Sequence, residues 1–349
     1  MKKLVLIDGN AIIHRAYHAL PKTMTTRSGE PTNAVYGFAT AMIKVLEDLK
    51  PEYLAASFDL AGPTFRHEAF ADYKATRVKA DQELYDQIPR VKEMLLAMNI
   101  PIYEMQGFEA DDVIGTITSK IQDTRNKLQT NSKRDSSPVA QNDKPDKLTP
   151  NSYSLEVYIV SGDKDIFQLI DGNVKVYNLR RGLSDTQIVD REVIEKEYHL
   201  QPEDFIDLKA LAGDASDNIP GVPGIGPKTA TQLLQDFDTL EKLYEAIETK
   251  ELKNGRTKEQ IKPRILELLI KHRDQAFLSQ KLATIHKNVP IEFDIEKARF
   301  GNYDRMKLRE FFEQLGFKSL LRRFGVTEAK EDQISTAEQA KKDKQLKLL

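Results

Sequence analysis

Short apolar runs ending in Asp, Gly or Asn alternate along the chain with longer stretches of helical period. Residues 4–7, Leu-Val-Leu-Ile, form the first run and stop at Asp8, Gly9 and Asn10. An apolar stretch this short, bounded by turn residues, predicts a buried strand. Residues 53–58 predict a second strand, ending at Asp59, residues 100–103 a short third one, and residues 155–160 another, ending at Ser161-Gly162-Asp163. Between them, residues 36–49, 84–98 and 110–121 carry apolar residues at helical spacing. Strands alternating with helices predict an α/β fold with a mostly parallel central sheet and flanking helices. From residue 193 to about residue 320 the pattern is helical, so a helical second half is expected.

Two stretches break the rhythm. Residues 124–154 are rich in Asn, Asp, Ser, Lys and Pro with almost no apolar content, and are read as a disordered surface insertion. Residues 326–349 form a charged tail without a packable stripe until the last few positions.

Bulk composition narrows the chemistry. The 349 residues contain no cysteine, which excludes disulfides, thiol nucleophiles and cysteine-ligated zinc. A formal net charge of −2 argues against a simple basic DNA-coating protein, but not against a nuclease whose acidic site offsets basic grooves. No apolar run is long enough to span a bilayer, and the start of the chain does not read as a signal peptide. A cytoplasmic location is expected, consistent with the absence of cysteine.

The informative feature is where the acidic residues fall. Asp8 and Asp59 each follow a predicted strand, and Asp163 and Asp165 follow another. Glu109, Asp111 and Asp112 open a predicted helix, and Asp214 and Asp217 lie in Gly-Asp-Ala-Ser-Asp-Asn-Ile-Pro-Gly. Strand ends of a parallel sheet converge on its carboxyl edge, where open α/β folds bind ligands. Such a cluster would repel itself at neutral pH unless carboxyls protonate or divalent cations sit among them. Oxygen ligands without Cys or paired His favour Mg²⁺ or Mn²⁺ over zinc, and carboxylate-held metal pairs suit phosphodiester hydrolysis. For any single Asp the plain alternative is a turn residue or helix N-cap.

These motifs, together with His14-Arg15-Ala16-Tyr17-His18, the 29–37 segment Gly-Glu-Pro-Thr-Asn-Ala-Val-Tyr-Gly, Thr64-Phe65-Arg66 and Tyr73-Lys74-Ala75-Thr76-Arg77, resemble the 5′–3′ exonuclease domain of bacterial DNA polymerase I and, more widely, the flap endonucleases. The resemblance runs from residue 1 to about residue 325, apart from the polar insertion, which is longer than expected. It implies a PIN-like nuclease core over 1–190, with a helical arch near 62–90, and a helical DNA-binding region of helix–hairpin–helix type over 191–325. It further implies a metal-dependent 5′ nuclease that removes RNA primers and 5′ flaps in replication and repair. In the resemblance, Asp8, Asp59, Glu109 and Asp111 match first-metal positions, Asp163, Asp165, Asp214 and Asp217 match the second-metal side, and Asp112 stands close to both. The partners it implies are DNA with 5′ ends or flaps, primer–DNA hybrids, and a separate polymerase and ligase. No polymerase domain follows in this sequence, and nothing in it suggests an oligomer.

Phe65, Arg66, Phe70, Tyr73, Lys74, Arg77 and Lys79 mix aromatics with cations, a pattern that suits single-stranded nucleic acid and also suits a solvated helix with its rings in the core. By resemblance, Lys74 and Arg77 steer the scissile phosphate, Arg66 helps, and Tyr73 stacks near an unpaired base. The turn containing Gly221, Gly224, Gly226, Lys228 and Thr229 lets backbone approach phosphate at a helix N-terminus. Pro227 between Gly226 and Lys228 breaks P-loop spacing. The resemblance makes this turn a grip on the duplex backbone with a bound K⁺. His14 and His18 stand four apart without the H-E-x-x-H arrangement, so packing or local hydrogen bonding is favoured over zinc.

Overall fold

The computed structural model describes residues 2–77, 80–134, 155–249, 259 and 261–327. The chain runs β1 (Lys2–Asp8), α1 (Gly9–Ala19), α2 (Asn33–Leu49), β2 (Tyr53–Ser57), α3 (Phe65–Ala69), α4 (Gln82–Ala97), β3 (Ile102–Tyr103), α5 (Ala110–Arg134), β4 (Leu155–Ser161), β5 (Val174–Arg181) and β6 (Asp185–Val189). It continues through α6 (Arg191–Tyr198), α7 (Asp204–Ala212), α8 (Pro227–Phe237), α9 (Leu240–Glu248), α10 (Pro263–Lys271), α11 (Arg273–Ala283), α12 (Arg305–Gln314) and α13 (Lys318–Arg323).

Among the described residues the strands form one six-stranded sheet in the order β3-β2-β1-β4-β5-β6. All neighbours pair in parallel except β5 and β6, which are antiparallel. The predicted mostly parallel α/β sheet is therefore observed. β1 shows why a continuous apolar run is needed: Val5 and Ile7 enter the hydrophobic cluster on one face, Leu4 and Leu6 the cluster on the other. Both faces are covered, so side chains of both parities must be apolar.

Several elements differ from expectation. α1 starts directly at Gly9, because Asp8 caps it by accepting a hydrogen bond from the Ala11 amide. Local turn residues had masked that helix. β5 and β6 were not anticipated. Between residues 284 and 304 the chain is not helical except for a 3₁₀ turn, Ile295–Ala298. The predicted insertion begins later than expected, since α5 continues through residues 124–134. The rest of it, 135–154, lies outside the described residues, as do Lys79 and the tail from 328 onward.

The helical half does not pack as one unit. α7 to α11 surround their own cluster, with Leu211, Leu234, Phe237 and Leu243 at its centre. Leu308, Phe311, Phe312, Phe317 and Leu320 of α12 and α13 and their link instead join the α/β core beside Phe38 and Met94. Helical period says that an apolar stripe must be buried, but not against which surface.

Candidate active site

The order of the strands places a crevice between β1 and β4, where connections leave the sheet in opposite directions. There Asp8 Oδ2 accepts a 2.7 Å hydrogen bond from Ser161 Oγ, so the ends of the two central strands are tied together. Asp59, just past β2, accepts from the Ala110 amide at the start of α5 (2.7 Å) and from Asn10 Nδ2 (2.9 Å). Asp163, past β4, holds the Asp165 amide at 3.0 Å. The hairpin between α7 and α8 is closed by paired backbone hydrogen bonds between Asp214 and Ile219, and carries Asp217 to the same edge.

A cavity of about 220 Å³ results. Seven carboxylates line it (Asp8, Asp59, Glu109, Asp111, Asp163, Asp165 and Asp217) against two cations, Lys74 and Arg77. Burial, reinforced by Asp59 and Asp163, pushes Asp8 up to about 7. Burial and the neighbouring Asp163 likewise push Asp165 up to about 7, although Lys209 opposes this. Asp111 is raised well above the usual carboxylate range, chiefly by burial, and its buried Oδ1 has no hydrogen-bond partner. A site with this excess of negative charge and an orphaned oxygen donor fits hard divalent cations.

Among the described residues, no three Asp, Glu or His side chains stand as a ready ligand shell for one ion. Cations intervene. Lys74 Nζ lies 2.7 Å from Glu109 Oε2 and 3.8 Å from Asp217 Oδ2. Arg77 pairs with Asp217 and donates to the Ser216 carbonyl at 3.1 Å. Lys74 has a left-handed backbone (φ 57°), and its amide donates to the Asp217 carbonyl at 2.9 Å. The expected helical arch is accordingly helical only in α3 and from α4 onward. Residues 71–77 form turns drawn onto the carboxylates.

Four expected site residues take other positions. Asp112 is fully buried and turned away from the cavity. Its two oxygens accept from Arg66 Nη1 (2.7 Å) and Nη2 (2.8 Å) and from the amides of Glu109 (3.0 Å) and His286 (2.7 Å). No lone pair is left for a metal. Arg66, 2% exposed, gives two further donors to the carbonyls of Leu282 (3.0 Å) and Thr284 (3.1 Å), closing the C-terminal end of α11 rather than facing a phosphate. Tyr73 is 3% exposed, with its hydroxyl 3.2 Å from Glu109 and 3.1 Å from Asp217, so its ring offers no face to a base here. Asp214 lines the adjoining groove instead of the cavity.

The sequence reading missed Lys209, whose ammonium reaches both Asp165 and Asp214. Its signal was a lone cation within the otherwise apolar-and-acidic α7. Burial opposes its charge, but the two carboxylates overcome that and raise it. Against its own burial, Asp214 is held down at about 2 by Lys209. His14 lines both cavity and groove.

The glycine-rich turn packs Val222 and Ile225 inward and leaves Gly224, Gly226 and Lys228 exposed, with Thr229 half-buried, at the N-terminus of α8. Gly221 (φ 60°) is buried, and a Cβ there would lie 2.2 Å from the Gly213 nitrogen. The same hairpin thus bears acidic site residues at one end and the outward-facing turn at the other.

Residues 3–137 match the family described as 5′-3′ exonuclease, N-terminal resolvase-like domain, and residues 200–306 match the 5′-3′ exonuclease, C-terminal SAM fold. The chain belongs to the 5′–3′ exonuclease family. DNA polymerase I of Bacillus subtilis is 39% identical over 337 residues, which are 97% of this chain and 34% of that protein. The chain therefore spans about a third of the length of the curated relatives it matches. Among solved structures, a bacteriophage T5 5′-exonuclease with bound divalent metal ions (zinc) superposes with TM-score 0.58 at 18% identity, covering 90% of this chain and 99% of that one. The T5 flap endonuclease in a pseudo-enzyme-product complex with DNA and metal ions gives TM-score 0.59 at 18% identity, covering 90% and 100%. These likenesses show that the exonuclease family shares its fold with this chain. Among the described residues, no helix is long and apolar enough to cross a membrane.

Proposed function

We propose that this chain hydrolyses DNA phosphodiesters at 5′ ends and at the base of 5′ flaps, using two divalent cations, Mg²⁺ or Mn²⁺. The observation that carries this reading is the seven-carboxylate cavity at the carboxyl edge of the sheet, with the orphaned oxygen of Asp111. Asp8, Asp59, Glu109 and Asp111 are the residues that would hold the first ion; Asp163, Asp165, Asp214 and Asp217 would hold the second. Bound there, such ions supply a water nucleophile of lowered pKa and charge neutralisation at the leaving oxygen.

The chain's own residues do the rest. The exposed backbone of Gly224 and Gly226, with Lys228 and Thr229, grips duplex phosphates without reading sequence, with K⁺ at this turn as part of the proposal. Lys74 and Arg77, exchanging Glu109 and Asp217 for a phosphate, orient the scissile strand and screen its charge. Arg66 and Asp112 fix the start of α5, and with it Glu109 and Asp111. Water adds to phosphorus, the 3′-oxygen leaves with a proton, and the new strand end carries a 5′-phosphate. Such an end suits closure by a separate polymerase and ligase, and RNA primers on DNA are substrates of the same kind.

The test is a 5′-labelled flap duplex incubated with the protein in Mg²⁺ and in EDTA. Cutting at the flap base only with metal, and its loss in Asp111→Asn with duplex binding kept, is expected. Tight flap binding without cutting in both Mg²⁺ and Mn²⁺ would show a junction-binding protein instead.

A further inference from the structure

Two kinds of cation neutralise the acidic site. Lys74 and Arg77 come from the turn segment between α3 and α4, and the Arg77 side chain is 48% exposed. Lys209 comes from the last turn of α7, whose next residues, Ala210 and Leu211, are wholly buried in the helical cluster. α7 also packs against the 3₁₀ turn Asp165–Leu169 that carries Asp165. The Lys209 carbonyl accepts from the Gly213 amide at 2.9 Å, which fixes the approach to Asp214. Asp214 is held on its other oxygen by the Ser216 amide (2.8 Å) and hydroxyl (2.6 Å). Lys209, Asp165 and Asp214 have side chains only 17%, 13% and 15% exposed. The ammonium therefore fills the gap between Asp165 and a carboxylate, Asp214, that is itself anchored.

We propose that Lys209 is a resident counter-charge at the second cation position. The carboxylate cluster then takes one divalent ion tightly, and a second only against the charge of Lys209. The inference rests on the metal reading of the cavity given above. An ammonium ion and a divalent ion drawn to the same carboxylates stand a few ångströms apart, and like charges that close in a half-buried site repel strongly. The Arg77 side chain, 48% exposed, can swing out into solvent. Lys209 can withdraw only by rotating its side chain, because its backbone belongs to a packed helix.

Mn²⁺ titration of the intact protein, followed by the electron paramagnetic resonance of free Mn²⁺, tests this without any turnover. Wild type should bind one ion tightly and a second weakly. Lys209→Met should tighten the second site by about tenfold or more, the scale set by removing a nearby unit charge. Lys209→Gln should do the same if Met disturbs folding, and Lys209→Arg should resemble wild type; thermal unfolding confirms that each is folded. Two equally tight sites in wild type, or a second site unchanged by both Met and Gln, would overturn the proposal while leaving the metal reading intact. No Mn²⁺ bound by wild type would overturn the metal reading itself.

Discussion

Arg66 and Asp112 meet side-on, two nitrogens to two oxygens at 2.7 and 2.8 Å, in a spot water scarcely reaches. The pair joins α3 to α5, and through the Leu282 and Thr284 carbonyls it also joins both to the end of α11. Removing one member leaves the other charged and buried. Arg66→Met should therefore cost about 3–5 kcal/mol of stability, read as a lowered urea midpoint at unchanged slope. Arg66→Lys should recover little, because an ammonium cannot reproduce the planar fork. A variant as stable as wild type would mean that the pair contributes nothing net.

Asp8 ties pH to stability. Its carboxyl titrates near 7 in the folded chain against 3.8 as its ordinary value, mainly through burial. Between those values the folded state holds a proton that the unfolded state has released. The slope of stability against pH is then negative: the contribution is present below about pH 4 and lost as pH rises through about 7. Asp165 acts in the same direction. In EDTA the protein should be more stable near pH 5 than near pH 8, by on the order of a few kcal/mol, and Asp8→Asn should flatten that difference. Added Mg²⁺ should restore stability at the higher pH. Denaturant titrations at the two pH values decide it, and a metal-free protein that gains stability with rising pH would contradict the assignment.

Two glycines in one turn should separate folding from binding. Gly221→Ala places a methyl 2.2 Å from the Gly213 nitrogen in a left-handed conformation, so it should destabilise by more than about 1 kcal/mol. At Gly226 a Cβ meets nothing within 4 Å and φ is −96°. Gly226→Ala should unfold at the wild-type temperature yet bind duplex DNA about tenfold more weakly, because the methyl stands between backbone and phosphate. Unfolding curves paired with fluorescence anisotropy on a labelled duplex test both halves. Wild-type affinity in Gly226→Ala would remove the turn from the duplex interface.

Much of the site was legible because it is written as strand ends. Asp8, Asp59 and Asp163 each close an apolar run, and parallel pairing brings such ends together whatever lies between them. The α5 start was legible for the same reason: Glu109 and Asp111 precede a helical stripe. Asp112 differs from Asp111 by one position, and that one step of about 100° around the helix turns it from the cavity to Arg66. No local pattern distinguishes the two, since the deciding partners, Arg66 and the His286 amide, lie 46 and 174 residues away.

By itself, then, the sequence determined the alternation of strands and helices, the acidic edge, the exonuclease family motifs and the glycine-rich turn. All of these rest on local period, turn chemistry and short spacing. Tertiary structure decided which charges meet: Arg66 with Asp112, Lys74 with Glu109, Lys209 with Asp165 and Asp214. It also sent α12 and α13 back onto the α/β core. The physical reason is common to both. A side chain's charge and an apolar stripe's need for burial are local properties, but the partner that satisfies them is set by the path of the whole chain in space.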